Sequence, residues 1–74
     1  MKYDEVVTVT MDYLPGDNRI ITGIWLGWAP GGNLQKAYDE LRKLAAEEGY
    51  DSIVGIRFAA TSSVWVAYGT CLRH

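Results

Sequence analysis

The segment 23–33, GIWLGWAPGGN, combines residue types that can bind small molecules. It holds two of the three tryptophans and four of the eight glycines, and it runs directly into a helical pattern. Free backbone N–H groups at the start of a helix can hold an anion, which makes Gly31, Gly32 and Asn33 a candidate anion site. The glycines do not follow the G-x-G-x-x-G spacing, and no Lys-Ser/Thr pair follows them as in a phosphate-binding loop. A tight corner between a strand and the helix is therefore the competing interpretation.

The tryptophans offer a second kind of site. Each predicted strand has one side that carries more of its large apolar residues. Trp25 and Trp65 lie on the opposite side of their strands, and Ile21 shares the side of Trp25. Indole rings on one sheet face can stack against a planar ligand, or they can anchor contacts between subunits. We therefore expect these three residues at a subunit interface or at a ligand site.

Cys71 and His74, in the sequence CLRH, are the only cysteine and histidine of the chain. Structural zinc usually takes four ligands, so a metal site here needs ligands from several subunits. In the alternative interpretation Cys71 is a small core residue and His74 is a frayed terminal residue. No Ser-His-Asp, Cys-His or tuned acid–base pair can be assembled from the pattern, so the chain is not expected to be an enzyme.

Strands and a helix must position these residues. β-branched residues at 6–11 indicate a first strand, and turn residues at 14–18 join it as a hairpin to a second strand at 19–28. Apolar residues at helical spacing follow Asn33, whose side chain is a good N-cap. Gly49 stands where a left-handed helix end is expected.

Two further strands are predicted after the helix, at 52–60 and 63–72, and both are apolar on their two sides. The predicted fold class is α+β, a two-layer β-β-α-β-β arrangement with one helix packed on a curled antiparallel sheet. One helix covers only one sheet face. In the second strand we expect Trp28 on the covered face and Trp25 on the uncovered face, which packs on copies of the chain.

Size and composition favour self-association of a single domain, residues 1–74. A chain of 74 residues buries only roughly 60% of the surface that its unfolded form exposes, which makes a lone monomer marginal. One cysteine excludes an internal disulfide, whereas 49% of the residues are hydrophobic. Association of identical chains is the remaining way to stabilise so small a domain, and we expect a homo-oligomer.

Charge and hydropathy exclude several classes of partner. The net charge is −2 and the seven basic residues are scattered, so nucleic acid is not an expected partner. The sequence shows no signal-peptide pattern and no apolar run near the roughly 20 residues that span a bilayer. No membrane partner and a cytoplasmic location are therefore expected.

Three segments resemble the YbjQ-like family. They are AYDELRK at 37–43, EGYDSIVGIRF at 48–58 and YGTC at 68–71, and they are similar to the family's helix, its Leu-Gly-Ala-Asp-Ala-Val-Val-Gly run and its closing Gly-Thr-Ala-Val. The resemblance implies a dodecin-like subunit fold that assembles as a ring, most often a pentamer. The family carries a provisional label of heavy-metal binding. This chain lacks the family's longer second-helix segment before the main helix.

The expected function is that of a small homo-oligomeric module for interaction or small-ligand binding, pentameric if the resemblance holds. One alternative is a dodecin-like binder of flavin or another aromatic ligand through intersubunit tryptophans, which rests on the fold resemblance. A second alternative is a metal-binding ring that uses Cys71 and His74. No motif requires a cofactor, and flavin or a divalent metal enters only through these two alternatives.

Overall fold

The computed structural model describes residues 2–74. In chain order its elements are a 3-10 turn Tyr3–Glu5, strand β1 Val7–Thr8, strand β2 Gly23–Gly31, helix α1 Leu34–Glu47, strand β3 Ser52–Ala60 and strand β4 Trp65–Arg73. Within residues 2–74 they form an α+β domain with one helix and one four-stranded sheet, in the order β1-β3-β4-β2.

The sheet is mixed, and the predicted all-antiparallel arrangement is wrong. β4 pairs antiparallel with both β2 and β3, whereas β1 pairs in parallel with β3, with Val7 beside Ser52. β1 and β2 therefore occupy opposite edges and do not form the predicted hairpin. Residues beyond β1 stay along β3, where the Val9 N–H donates to the Ile53 carbonyl at 3.0 Å. Turn residues specify a local change of direction, but they do not specify which strand becomes the partner.

Helix α1 begins and ends where the sequence predicts. The Asn33 side chain accepts a hydrogen bond of 2.8 Å from the Lys36 N–H, and Gly49 has a φ of +82°. The apolar stripe places Ala37, Leu41 and Ala45 fully in the core. Among residues 2–74, no helix has both the length and the apolar character needed to cross a bilayer.

The helix packs on the face of β2 that carries its smallest residues, which reverses the predicted faces. Trp25 and Ala29 pack in the core beneath α1, while the even-numbered apolar side chains of β2 point away from it. A Cβ on Gly31 would lie 2.7 Å from the Lys36 carbonyl carbon. The helix backbone can approach the strand closely only where side chains are absent or small. The placement of Trp28 under the helix and Trp25 on the uncovered face is therefore wrong.

The chain between β1 and β2 crosses the face of the sheet that the helix leaves uncovered. We call residues 9–22 the crossing segment and this side of the sheet the open face. Arg57 donates to the Thr10 carbonyl at 2.6 Å, and the Gly55 N–H donates to the Met11 carbonyl at 2.7 Å. These bonds fasten the start of the crossing segment to β3. The Thr22 N–H, at the other end, donates to the Arg73 carbonyl at 2.7 Å.

Candidate functional site

A cleft of about 470 Å³ lies between the crossing segment and the open face. Its apolar lining is shared by the crossing segment and strands β2, β3 and β4: Leu14, Ile21, Ile24, Val54 and Leu72. Asp17, Arg19 and His74 line its polar end. This volume lies within the range of small-molecule sites, which combine an apolar lining with a few placed polar groups.

His74 is held firmly at the polar end of the cleft. Its side chain is only 5% exposed, and its Nδ1 lies 2.7 Å from Asp51 Oδ1. The backbone N–H of His74 donates to Asp51 Oδ2 at 3.0 Å, so both carboxylate oxygens hold this residue. The two bonds fix the orientation of the imidazole.

The Asp51 carboxylate decides which ring nitrogen of His74 carries the proton. Burial raises the pKa of Asp51, but hydrogen bonds from the Ser52 hydroxyl and from His74 outweigh it and leave that pKa below its ordinary value. An ionised carboxylate only accepts hydrogen bonds, so Nδ1 of His74 is the donor to it. In the neutral ring Nε2 then carries the lone pair and can accept.

Asp17 and Arg19 form the other polar group of the cleft. The Nε and Nη2 of Arg19 donate to the Asp17 carboxylate at 3.1 and 2.6 Å, and the Arg19 backbone N–H adds a bond of 2.9 Å. These hydrogen bonds lower the pKa of Asp17 to about 2. Asp17 Oδ2 lies 4.0 Å from Nε2 of His74. When the ring is neutral, the polar end of the cleft presents two acceptor atoms side by side.

Ser52, Asp51 and His74 do not form a nucleophilic triad. The Ser52 hydroxyl is fully buried and donates to Asp51 at 2.7 Å, so serine and histidine share one acceptor. A triad places the serine hydroxyl on the ring nitrogen that faces away from the carboxylate. The arrangement orients an imidazole, and the expectation that the chain is not an enzyme stays a prediction.

The residues predicted for a subunit interface or a ligand site are separated by the sheet. Ile21 lines the cleft on the open face. Trp25 lies on the helix-covered face, where its ring stacks on Tyr50 at a centroid distance of 5.7 Å and an angle of 18°. Trp65 stands beside Gly31 in the β2–β4 register. Flavin binding between symmetry-related tryptophans stays a prediction, and the tryptophan on the open face is Trp28.

Cys71 and His74 also lie on different sides of the sheet. Cys71 is fully buried among the core residues beneath α1, where burial raises the pKa of its thiol to about 11. Arg73 donates to the Glu48 carbonyl on that side at 2.9 Å, whereas His74 points into the cleft. No group of three or more metal-ligating side chains is found among residues 2–74. The predicted pair does not converge within one chain, and a metal ring stays a prediction.

The residues predicted to hold an anion at the helix start have local structural roles. The Asn33 side chain caps the Lys36 N–H, and Gly31 allows α1 to approach β2. Gly32 has open space around its Cβ position. These contacts favour the strand-to-helix corner, and anion binding at Gly31, Gly32 and Asn33 stays a prediction.

A second surface feature runs along the edge of the open face. We call Ile24, Leu26 and Trp28 of β2, with Tyr68 of β4, the apolar strip. These residues are 65%, 77%, 61% and 44% exposed, and Trp28 stands opposite Tyr68 in the register. Because β2 is an edge strand, one side of its backbone is also unpaired within the sheet.

The cluster of Asp17, Arg19, Asp51 and His74 was missed by the sequence analysis. Asp51 precedes strand β3 and His74 follows strand β4, 23 positions later. No rule of sequence spacing predicts that two such residues are in contact. The only local signal was the Asp-x-Arg pair in the turn. No protein-family model matches the chain, and no curated protein matches its sequence.

Proposed function

We propose that this chain is a small-ligand-binding module whose ligand occupies the cleft on the open face. The observation that carries the proposal is the His74 ring, which is almost wholly buried and held by Asp51, with an Nε2 that makes no hydrogen bond within residues 2–74. His74 lines the cleft, and in the neutral ring its Nε2 is able to accept a hydrogen bond there. A ligand donor in the cleft would supply this bond.

The rest of the cleft defines the kind of molecule that fits. The apolar lining favours an apolar body, since burying such a body gains roughly 25 cal/mol for each Å² removed from water. His74 and Asp17 lie together at the polar end. The proposed ligand is therefore amphipathic, with an apolar body against β2, β3 and β4 and one polar head at His74.

A titration followed by ¹H–¹⁵N NMR tests this function. We expect 4-phenylbutan-1-ol to cause saturable shifts of residues around the cleft, such as Ile21, Val54 and Leu72, and none on the outer face of α1. Thr70 lines the cleft on β4, so Thr70→Phe fills the cleft and is expected to abolish the shifts. The matched control Ser62→Phe adds the same ring in the β3–β4 loop and should leave them intact. Absence of saturable shifts at millimolar ligand would contradict the proposal.

Self-association is a second candidate function, and a second copy of this chain is the proposed occupant of the apolar strip. The four residues of the strip leave on the order of 500 Å² exposed, which is in the upper part of the roughly 300–600 Å² of the largest, often functional, patch on a monomer. A standard interface covers about 800 Å² on each partner, which the strip and the adjoining edge of β2 can supply together. The size and composition of the chain favour the same conclusion.

The mass of the native particle tests self-association and the ring suggested by the YbjQ-like resemblance. Light scattering or native mass spectrometry is expected to return a multiple of the 8.3 kDa chain mass, and five copies if the pentameric expectation holds. A mass of one chain at high micromolar concentration would exclude this second function. It would leave the cleft proposal untouched, because every lining residue of the cleft belongs to one chain.

A further inference from the structure

The charges around the cleft are predominantly negative. Asp12 and Asp17 line it, and Asp51 lies directly behind the His74 ring. Arg19 is the one cation among the lining residues that the structure describes, and its guanidinium is already engaged by Asp17. Around the cleft the three carboxylates of Asp12, Asp17 and Asp51 therefore outnumber the one guanidinium. A cationic head group is favoured there, and an anionic one is repelled.

The positions of the two acceptors limit the head group further. Asp17 Oδ2 and His74 Nε2 are 4.0 Å apart, so one nitrogen atom about 2.9 Å from each can bridge them. A hydroxyl has one O–H and can donate to only one of the two acceptors. A primary ammonium has three N–H donors, and its bond to the carboxylate is strengthened by charge.

We infer that the cleft takes a small primary amine in its ammonium form, carried on an apolar body. The head group donates to His74 Nε2 and to Asp17 Oδ2, and the body lies against Ile24, Val54 and Leu72. This inference rests on the proposed ligand-binding function and adds the class of ligand. Asp51 is a positioning residue in it, because that carboxylate turns the lone pair of His74 toward the cleft.

Three probes with the same apolar body separate this inference from the proposed function. They are 4-phenylbutylamine, 4-phenylbutan-1-ol and 4-phenylbutyrate, each titrated into the wild-type chain by ¹H–¹⁵N NMR at neutral pH. The amine is expected to bind about tenfold more tightly than the alcohol, and the carboxylate more weakly than either. Equal affinities for the three probes would overturn the inference that the ligand is an amine, while the proposal that the cleft binds a ligand would stand. Failure of all three to bind would overturn both proposals.

Two variants assign the selectivity to the two acceptors. Asp17→Asn is expected to reduce amine affinity about tenfold, to the level of the alcohol, while the alcohol, which donates only to His74, keeps its wild-type affinity. His74→Gln removes the acceptor that both ligands share and is expected to weaken the amine and the alcohol alike. Asp39→Asn removes another arginine-paired carboxylate, on α1, and is the matched control. It should change neither the amine affinity nor the alcohol affinity. Retained alcohol binding also reports that Asp17→Asn is folded, and a dispersed ¹H–¹⁵N spectrum reports the same for His74→Gln. Unchanged selectivity for the amine in Asp17→Asn, or unchanged affinity for the alcohol in His74→Gln, would overturn the assignment.

Discussion

At the residue scale, one carboxylate controls the chemistry of the cleft. Asp51 accepts from the Ser52 hydroxyl, from the His74 backbone and from the His74 ring, and so determines the tautomer and direction of the imidazole. Asp17 is held in a comparable way by the guanidinium and the backbone N–H of Arg19. Both carboxylates are thus kept ionised and oriented by protein donors, as preorganised binding groups require.

The Asp17–Arg19 pair predicts a specific dependence of stability on acid. The pKa of Asp17 is about 2 in the fold, against an ordinary value of 3.8. A lowered folded pKa means that the contribution is present above pH 4 and is lost as pH falls through 2. Asp17→Asn is therefore expected to be less stable than wild type at pH 5, with the difference shrinking toward pH 2. Urea unfolding followed by tryptophan fluorescence measures both free energies.

The control for this measurement is Glu47→Gln on helix α1. Glu47 makes no ion pair within residues 2–74, so its replacement should leave the pH profile parallel to that of wild type. A constant free-energy difference between Asp17→Asn and wild type from pH 5 to pH 2 would show that the paired carboxylate does not contribute to stability.

At the scale of elements, the contact between α1 and β2 determines which face of the sheet is covered. The helix lies over the glycine and alanine side of β2, and its capped start follows directly from Gly31. The larger side chains of the same strand are consequently left on the open face, where Ile24 joins the cleft and the apolar strip. One close backbone approach thus decides where both candidate binding surfaces lie.

Two neighbouring glycines provide a matched test of this contact. Gly31→Ala places a methyl group against the backbone of Lys36 and Ala37, neither of which can move without shifting the helix. We expect a loss of about 1–3 kcal/mol in the free energy of unfolding, as for other overpacked sites. Gly32→Ala meets open space and is expected to stay within about 0.5 kcal/mol of wild type. Equal effects in urea unfolding would contradict the close approach.

At the scale of the whole molecule, the open face is divided between two uses. The crossing segment covers the sheet over Val54 and Leu72 and forms the roof of the cleft. It leaves the apolar strip uncovered along the β2 edge, where both apolar side chains and unpaired backbone groups are accessible. Ligand binding and self-association are therefore compatible in one molecule, with Ile24 at their boundary.

A charge in the apolar strip is expected to reduce self-association without unfolding the chain. Trp28→Lys places an ammonium at the centre of the proposed contact, where desolvation of an unpaired charge is costly. Light scattering should show a shift toward the 8.3 kDa single-chain mass. Leu34→Lys, which replaces an exposed apolar residue on α1 outside the strip, is the control and should retain the wild-type mass. An unchanged mass for Trp28→Lys would contradict the proposal that the apolar strip is the interface.

Local patterns in the sequence determined the helix, its capping residue and its glycine end, and they placed strand β3 at its observed bounds. These features depend on neighbouring residues, because capping, helical periodicity and β-branched runs act over a few positions. The same patterns predicted that the second face of the sheet is apolar. The structure has such a face, but other residues form it than the ones predicted. Self-association, the flavin and metal alternatives and the YbjQ-like resemblance stay predictions.

Tertiary structure alone decided the partner of β1, the covered face of β2 and the meeting of Asp51 with His74. Strand pairing is a choice among distant segments, and the turn at 14–18 carries no information about it. The covered face was decided by how closely the α1 backbone can approach β2, whereas apolar bulk had suggested the other side. The candidate site exists because the fold brings Asp17, Asp51 and His74 to one end of a cleft, and a contact between distant residues leaves no periodic signal in the chain.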